Sequence, residues 1–554
     1  SYNPQVLRDE SYMLCVNATT KGNKVAPARS SSALILSSRN ANREQVYPQQ
    51  APISAPGYSS QAFNPHFPHT VRTTETKTCD DCHVSSKNDN NAWMAQILLH
   101  GTNMVNFLGK YAYVALGSGG FEAVEVTETE EPQAVIGSYL QSLAYPDYYA
   151  KHLANDRRLK TAYHHSGTVL SIQMRGEYVY TANGPGGFRV YDIANIDNKG
   201  YSERIVTAPV SPLGQDTHVK TQFATAVALP TNMPIDTRRV HRPENQEQWP
   251  IHPMYSYAYI TDRYEGLILV DVMNLVDGDP QNNFLERALA FNPGGILNGA
   301  VNLTVAGAYV YVCCDAGLVI VNISDPLQPR IAATVGQRVI KSPRAVAVQF
   351  RYAFICDVSG VQAIDITNPE RPKLIQDNLI ALAEANDIYV ARTYAYVAGG
   401  PDGLVIIDVE NPEKMFIQQK FTADGEIDDA RGVKVASTNA SVYAYLADGK
   451  HGLRVIQLTS PKDTPGYLGF SPIPDPKLIA TRHTHGPALS VSKGLDRDRA
   501  VDESGNQVSV FGRLGSRPLT LEEQRKLYLR DGEIWRVTPE GGVELPQSAS
   551  QPSP

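Results

Sequence analysis

The sequence predicts an all-β fold, a seven-bladed β-propeller, and three observations carry that prediction. From residue 109 onward, a Tyr-rich strand, a turn with Gly and an apolar strand ending near Asp recur seven times, from GKYAYVALGSGGFEAVEV to VYAYLADGKHGLRVIQL. The turn glycines Gly317, Gly360, Gly403 and Gly452 stand 43, 43 and 49 residues apart, a period typical of propeller blades and solenoids. Each unit is rich in Val, Ile and Tyr, alternates with period two and breaks at Gly, Asp or Pro, which marks strands rather than helices.

Segments such as ARGVKVA (430–436) and SPRAVAVQF (342–350) precede the Tyr strand and supply a further strand. A unit of three or four antiparallel strands has two apolar faces and cannot stand alone. Stacking seven of them radially covers both faces, which favours a propeller over a solenoid or two sandwiches. The first three units are more widely spaced and must carry insertions. GLVIVNISDP (317–326) and GLVIIDVENP (403–412) resemble the bacterial surface propellers named for their LVIVD repeat, over about residues 109 to 460. That resemblance implies the fold and leaves function open, because propellers serve binding and catalysis alike.

The expected organisation is an extended N-terminal arm over 1–60, a segment of separate chemistry over 61–108, the propeller over 109–468 and a C-terminal extension over 469–554. The arm is rich in Ser, Asn, Gln and Pro. With 554 residues and 42% apolar content, the chain can bury a large core. A net charge of -7, with no run of Lys and Arg, argues against nucleic acid as a partner. No stretch approaches the roughly 18 apolar residues of a membrane span. The chain opens with Ser1, and the expectation is that an export signal or a longer segment has been removed.

Six cysteines are too few for a disulfide-stapled fold of this size. Cys79, Cys82 and His83 form CDDCH, the one CxxC in the chain. Two thiols followed directly by an imidazole suit covalent haem c: each Cys adds to a vinyl group and His83 lies under the iron. A zinc site would need a second ligand pair, which the sequence lacks. A redox dithiol would be expected at a helix start in a βαβ unit rather than in an Asn-rich loop. For the second axial position, His69 stands ten residues before Cys79 and His66 three further back, both beside prolines. Met94, Met104 and His100 are alternatives, a sulfur ligand raising the potential.

Residues 1–108 resemble a segment of large exported multihaem cytochromes in which a PHTVR…ETK.C..CH stretch precedes DNNAWMAQ and an LVIVD propeller. The resemblance implies His83 as proximal and His69 as distal iron ligand, a periplasmic or extracellular location, and a multihaem cytochrome chain as partner. Further CxxCH motifs are absent from this chain, so it would be either a single-haem relative or the C-terminal piece of a larger system whose other haems sit on another chain. The expected role is single-electron transfer, a carrier rather than a catalyst. The alternatives are an oxidoreductase with substrate at the propeller axis and a structural surface protein.

Cys314 and Cys356 each precede an Asp and read as equivalent buried strand positions of adjacent blades, with Ala447 in the same place before Asp448. Cys313 and Cys314 should point to opposite faces, and Cys15 has no assigned partner. The doublet His164-His165 reads as loop or as lining of the propeller mouth. DGEIDDARG (424–432) lacks calcium-loop spacing and reads as an acidic inter-blade loop. Thr520 and Glu523 form a capping box that should start one amphipathic helix, and the last residues, PQSASQPSP, should be disordered.

Overall fold

The computed structural model describes residues 111–128, 135–175, 178–193, 218–230, 252–275, 283–349, 351–391, 393–438, 441–460, 462–463, 473–492 and 517–534, with short strands outside these stretches. Among the short strands, Gln5–Leu7 pairs with Ile35–Arg39, which pairs with Gln45–Pro48, and Tyr12–Asn17 pairs with Lys24–Arg29. The first 48 residues thus carry small antiparallel sheets in place of the expected extended arm.

Seven antiparallel sheets form the propeller. In each, strand A is innermost and strand D outermost. Blade 4 is representative: A is Asn302–Ala306, B Tyr309–Cys314, C Gly317–Asn322 and D Arg330–Gly336. Blades 2, 3, 5 and 6 follow the same order with A strands Ser171–Arg175, Ala224–Ala228, Ala345–Gln349 and Asp387–Ala391. Blade 7 comprises Gly432–Thr438, Ser441–Ala447, Leu453–Thr459 and Lys477–Arg482. The A strands contact one another in sequence and return to the first, so the ring is closed.

Closure uses both ends of the propeller. Strands B, C and D of blade 1 are Tyr111–Ala115, Phe121–Glu125 and Thr161–His165, whereas strand A is Ser490–Ser492, pairing Ser490 with Ala115 and Ser492 with Tyr113. The expected boundary at residue 468 is therefore corrected: Lys477–Arg482 and Ser490–Ser492 lie beyond it and belong to the propeller. The final strand, SVS, lacks the Tyr and Gly signature by which the units are recognised.

The expected alternation of buried and exposed residues gives way in the middle of each blade. Tyr309–Cys314 and Gly317–Asn322 are buried at every position, while outer strand Arg330–Gly336 is largely exposed. Strands B and C are covered on both faces by neighbouring blades, as in sheets that bury both sides. Successive clusters fill the inter-blade spaces, one joining Tyr309, Tyr311 and Cys313 of blade 4 to Val346, Ala353 and Ile355 of blade 5.

The predicted insertions are present. Between strands C and D of blade 1 lie two short helices, Tyr139–Ala144, capped by the Ser138 hydroxyl, and Pro146–Ala154, with Pro at its first position. The insertion grips outer strand D of blade 7: Leu159 N–H donates to Thr481 O (2.7 Å), Thr481 N–H to Arg157 O (2.8 Å), Arg157 Nη1 to Leu478 O (3.0 Å) and His152 Nε2 to Ile479 O (2.9 Å). The C-terminal helix is Leu521–Tyr528, and Thr520 and Glu523 make the predicted reciprocal capping box.

B–C turns and D–A crossings lie at the same end of the blades, the upper face. The turn glycine is indispensable there. Gly452 has φ +86°, and a Cβ would come 2.1 Å from Arg482 O. Gly425, with φ +93°, has open space around it. The expected result is that Gly452→Ala costs about 3 kcal/mol or more, because the outer strand must shift, while Gly425→Ala costs about 1 kcal/mol from conformation alone. Chemical denaturation of the two variants checks the difference.

Candidate functional site

Two places on the propeller gather polar chemistry: the axial channel and the seam between blades 7 and 1. The channel encloses about 240 Å³ between the seven A strands. Each A strand is a sheet edge, so its outer row of N–H and C=O groups faces the axis. Gln173, Asn302, Thr304, Asp387, Lys434 and Ser490 add side chains to this wall. Asp387 is committed to the wall: Oδ2 accepts from Val433 N–H (3.0 Å), Oδ1 from Ile388 N–H (2.9 Å), and Lys434 Nζ stands 3.8 Å away. Two backbone N–H groups and the Lys434 charge thus hold the carboxylate in the wall, and the channel is suited to holding a small polar molecule or water.

The seam is built on a device repeated around the upper face. In blades 2, 3, 5 and 7 the residue closing strand B is Asn183, Asp262, Asp357 or Asp448. Each side chain reaches the crossing that enters its own blade. Asn183 Nδ2 donates to Thr168 O (2.6 Å), Asp262 accepts from Phe223 N–H, Asp357 from Lys341 N–H (2.9 Å) and Asp448 from Asp429 N–H (3.0 Å). The same groups also brace the B–C turn, as when Asp262 Oδ1 takes Tyr264 and Glu265 N–H at 2.8 and 2.9 Å. Blade 4 does this with sulfur: Cys314 Sγ donates toward Ile296 O (3.5 Å) in the crossing and lies 3.6 Å from Gly317 O in the turn.

This geometry corrects the expected equivalence of Cys314 and Cys356. Cys314 pairs with Gly317 as Asp357 pairs with Gly360, and Cys313 pairs with Leu318 as Cys356 pairs with Val361. Both turns hold two residues, but the Cys-Asp dipeptide stands one residue nearer the turn glycine in blade 4, so its Asp315 falls in the turn while Asp357 closes strand B. Cys313 is thus the counterpart of Cys356, and burial raises both thiols well above their ordinary range. Cys313 and Cys314 do face opposite ways, toward blades 5 and 3 respectively. All three are free thiols.

In blade 1 the bracket position is Leu116, and a residue of strand C takes over. Glu122, fully buried, accepts from His485 N–H (2.9 Å) in the ring-closing crossing, from Thr161 Oγ1 (3.0 Å) and from Arg482 Nε (3.5 Å), and it contacts His485 Nδ1. Burial pushes its carboxyl up, but these hydrogen bonds, led by that of the His485 ring, together hold it below its ordinary value. The His164 ring stacks on His485 with centroids 4.1 Å apart, and its Nε2 donates to Gly119 O (2.8 Å). His165 turns inward against Phe121 and Tyr191, and burial first, then the Arg189 and His164 charges, lower its pKa. The doublet therefore lies at the end of outer strand D and not at the axis, His164 against the seam and His165 in the space between blades 1 and 2.

The acidic loop 424–432 is neutralised by basic side chains: Asp428 pairs with His451 (2.7 Å) and Lys450 (3.2 Å), Asp429 with Arg431 (2.6 Å). The described residues contain no group of three or more His, Cys, Asp or Glu that could hold a metal ion. Cys79, Cys82, His83, His69 and His66, with His100, Met94, Met104 and Cys15, lie outside the residues whose side chains are described. Sequence reading did not find Glu122 or Asp387, since each stands in an ordinary strand context. The one signal was the departure from the Asp pattern at Leu116.

The fold and its repeats define the class: a seven-bladed β-propeller of LVIVD repeats. The LVIVD repeat matches residues 102–128, 166–202, 256–276, 299–335, 342–377 and 383–422, which fall in blades 1 to 6. Blade 7, whose VYAYLADGKHGLRVIQL unit follows the same pattern, lies outside the matched stretches. No curated protein matches the chain. Solved structures similar to it include the Cps50 (Swd1) β-propeller domain of Myceliophteria thermophila, at 11% identity over 60% of this chain and 91% of that one, TM-score 0.38. A candidate 6-phosphogluconolactonase of Bacteroides uniformis shows 12% identity over 69% and 98%, TM-score 0.41. The computationally designed Ika8 protein shows 9% over 69% and 90%, TM-score 0.37.

The buried histidines of blade 1 and the seam carboxylate should make the propeller acid-sensitive in two steps. His152 and His165 have pKa values below their ordinary 6.5, burial being the main cause in both. The unfolded chain therefore takes up protons first, and stability present above about pH 6.5 is lost as pH falls through the window below it. Glu122 is lowered from 4.5, so its contribution is lost as pH falls below about 4.5. Melting curves across this range should fall in both windows. His165→Gln should flatten the first, and Glu122→Gln the second, with a loss of about 2 kcal/mol at neutral pH.

Proposed function

We propose that the chain is an electron-transfer protein acting outside the cytoplasm, in which haem c bound through Cys79 and Cys82 is tethered to the propeller. The observation that carries this reading is the donor set of CDDCH: two thiols for thioether bonds and the His83 imidazole for the iron. Bound there, the haem would supply one-electron redox chemistry. His83 would hold the iron on one side and His69, or failing that His66, on the other. The propeller supports the reading as a scaffold. The segment 61–108 ends three residues before strand B of blade 1 at Tyr111, so the group would be fixed at the seam of a rigid ring.

A single one-electron centre needs a neighbouring redox group to pass its electron on. A multihaem chain in contact with the N-terminal segment answers that need, with His66 beside or on a haem of the partner. The second reading places a small polar substrate in the axial channel, which has the volume and hydrogen-bonding wall for one.

Intact-mass analysis after acid-acetone extraction should show one haem retained, and loss of both thiols by Cys79→Ser with Cys82→Ser should abolish it. An unmodified mass in protein matured with a haem-attachment system would overturn the assignment. His69→Ala should turn a low-spin visible spectrum high-spin. A high-spin change in His66→Ala or Met104→Ala, with His69→Ala unaffected, would transfer the ligand role. Cross-linking of the natively purified protein should join residues 1–70 to a haem-containing chain.

A further inference from the structure

Arg175, the last residue of strand A in blade 2, is fully buried, and its Nε, Nη1 and Nη2 atoms have no hydrogen-bond partner. A guanidinium stays protonated at any working pH and offers five donors. Burying it without an acceptor is among the most unfavourable arrangements a core can contain. Its nearest polar neighbour is Tyr180, whose ring centroid lies 5.5 Å from Cζ. Burial raises the pKa of the Tyr180 hydroxyl, and the Arg175 charge and its contact with the guanidinium offset part of that rise, so the one group that answers the cation is a neutral phenol. Even turned to accept from the guanidinium, that hydroxyl supplies one lone pair and no charge. The two side chains together form a pocket of donors that lacks a negative acceptor.

The place of this pair in the fold says how an acceptor would arrive. Arg175 lies two residues beyond Gln173 on the same strand, and alternate residues share a face. Gln173 lines the axial channel, and its Oε1 accepts from Leu229 N–H (3.1 Å), Leu229 also lining the channel. Arg175 is thus the next position down from the lower wall of the channel, between blades 2 and 3. Nothing on the neighbouring faces competes: Ala258, Ile260, Ile268 and Val270 of blade 3 are apolar.

We propose that Arg175 and Tyr180 form an anion subsite at the foot of the axial channel, which takes a carboxylate or phosphate group of a small ligand. The planar guanidinium suits both, since each offers paired oxygens for a bidentate contact. This subsite is independent of the haem assignment, as it uses neither Cys79, Cys82 nor the histidines.

The test is thermal denaturation of the full chain at constant ionic strength, with chloride exchanged for inorganic phosphate or for citrate, and calorimetric titration with the same two anions. Phosphate or citrate should raise Tm by about 3 °C at a hundredfold excess over Kd, with saturable heat. The stronger of the two identifies the ligand group. Arg175→Met, of similar length and uncharged, should melt no lower than the wild type in chloride and should lose the saturable response, retaining only the general salting effect. Tyr180→Phe should weaken the response without removing it. Parallel Tm rises in wild type and Arg175→Met, or no saturable heat in the wild type, would overturn the subsite. A Tm for Arg175→Met far below wild type in chloride would also overturn it, because the guanidinium would then be paired by a carboxylate of the chain itself. If Arg175→Met does not fold, the wild-type calorimetry decides alone.

Discussion

Three residues hold the ring shut. Ser490–Ser492 pairs with Tyr111–Ala115, and without it blade 1 would present strand B as a bare inner edge while blade 7 would lose the neighbour of its buried face. Val491 is one residue of a cluster that runs from Ala112 and Val114 to Tyr443, Tyr445 and Val455. The apolar surface of two blades therefore depends on one short strand. Several reinforcements converge on the same place: the helical insertion of blade 1 lies across strand D of blade 7, and the Glu122 carboxylate holds the crossing that delivers the strand. A sheet edge left open inside a ring invites pairing with another chain, which is a physical reason for so much hydrogen bonding at a single seam.

The bracket at the end of strand B shows how one structural need can be met by different chemistry. The need is an acceptor or donor that reaches a backbone group of the incoming crossing and also braces the turn. Asp meets it three times, Asn once and a thiol once, and at the seam a Glu from the next strand does so. A carboxylate gives the strongest contact, because charge-assisted hydrogen bonds exceed neutral ones by about twofold, and the seam, the one joint not secured by chain continuity, has the carboxylate with the most donors. Cys314, with longer contacts to Ile296 and Gly317, is the weakest of the set. Blade 6 has Gly399 at this position, and there Asn386, arriving in the crossing, spans to Ala430 O (2.9 Å) of the next one.

The repeated blades were legible because strand composition, glycine turns and period all point the same way, and each can be counted along the chain. Burial on both faces was less so. Tyr and Thr within otherwise apolar strands produce an apparent alternation, although the phenol ring is buried as fully as Val beside it. The closing strand was illegible for a different reason: its partner lies 377 residues earlier, Val491 against Val114, and three residues carry no period. Cys314 was misaligned because the Cys-Asp dipeptide looks the same in two blades although its Asp lies in the turn of blade 4 and at the end of strand B in blade 5. Arg175 reads as an ordinary polar residue before the turn MRGEY, and only three-dimensional packing shows that its cation is enclosed.

The position of the chain ends also has a mechanical consequence. Ser492 pairs with Tyr113, two residues from the start of strand B at Tyr111, at the A–B end of blade 1, where most other blades have a turn of a few residues, such as the step from Ala306 to Tyr309. Anything attached to the preceding segment and anything attached to the following one leave the ring at neighbouring points on its lower face. A force applied between them loads the seam from one end, peeling its ladder bond by bond, the weak direction for a β-pair, whereas a force entering through any other blade must shear a whole sheet. Conversely, a short link from Ser492 to Tyr111, long enough to continue the ladder past Tyr113 and turn, would make the seam an ordinary hairpin and free the designer to place new termini at another A–B turn.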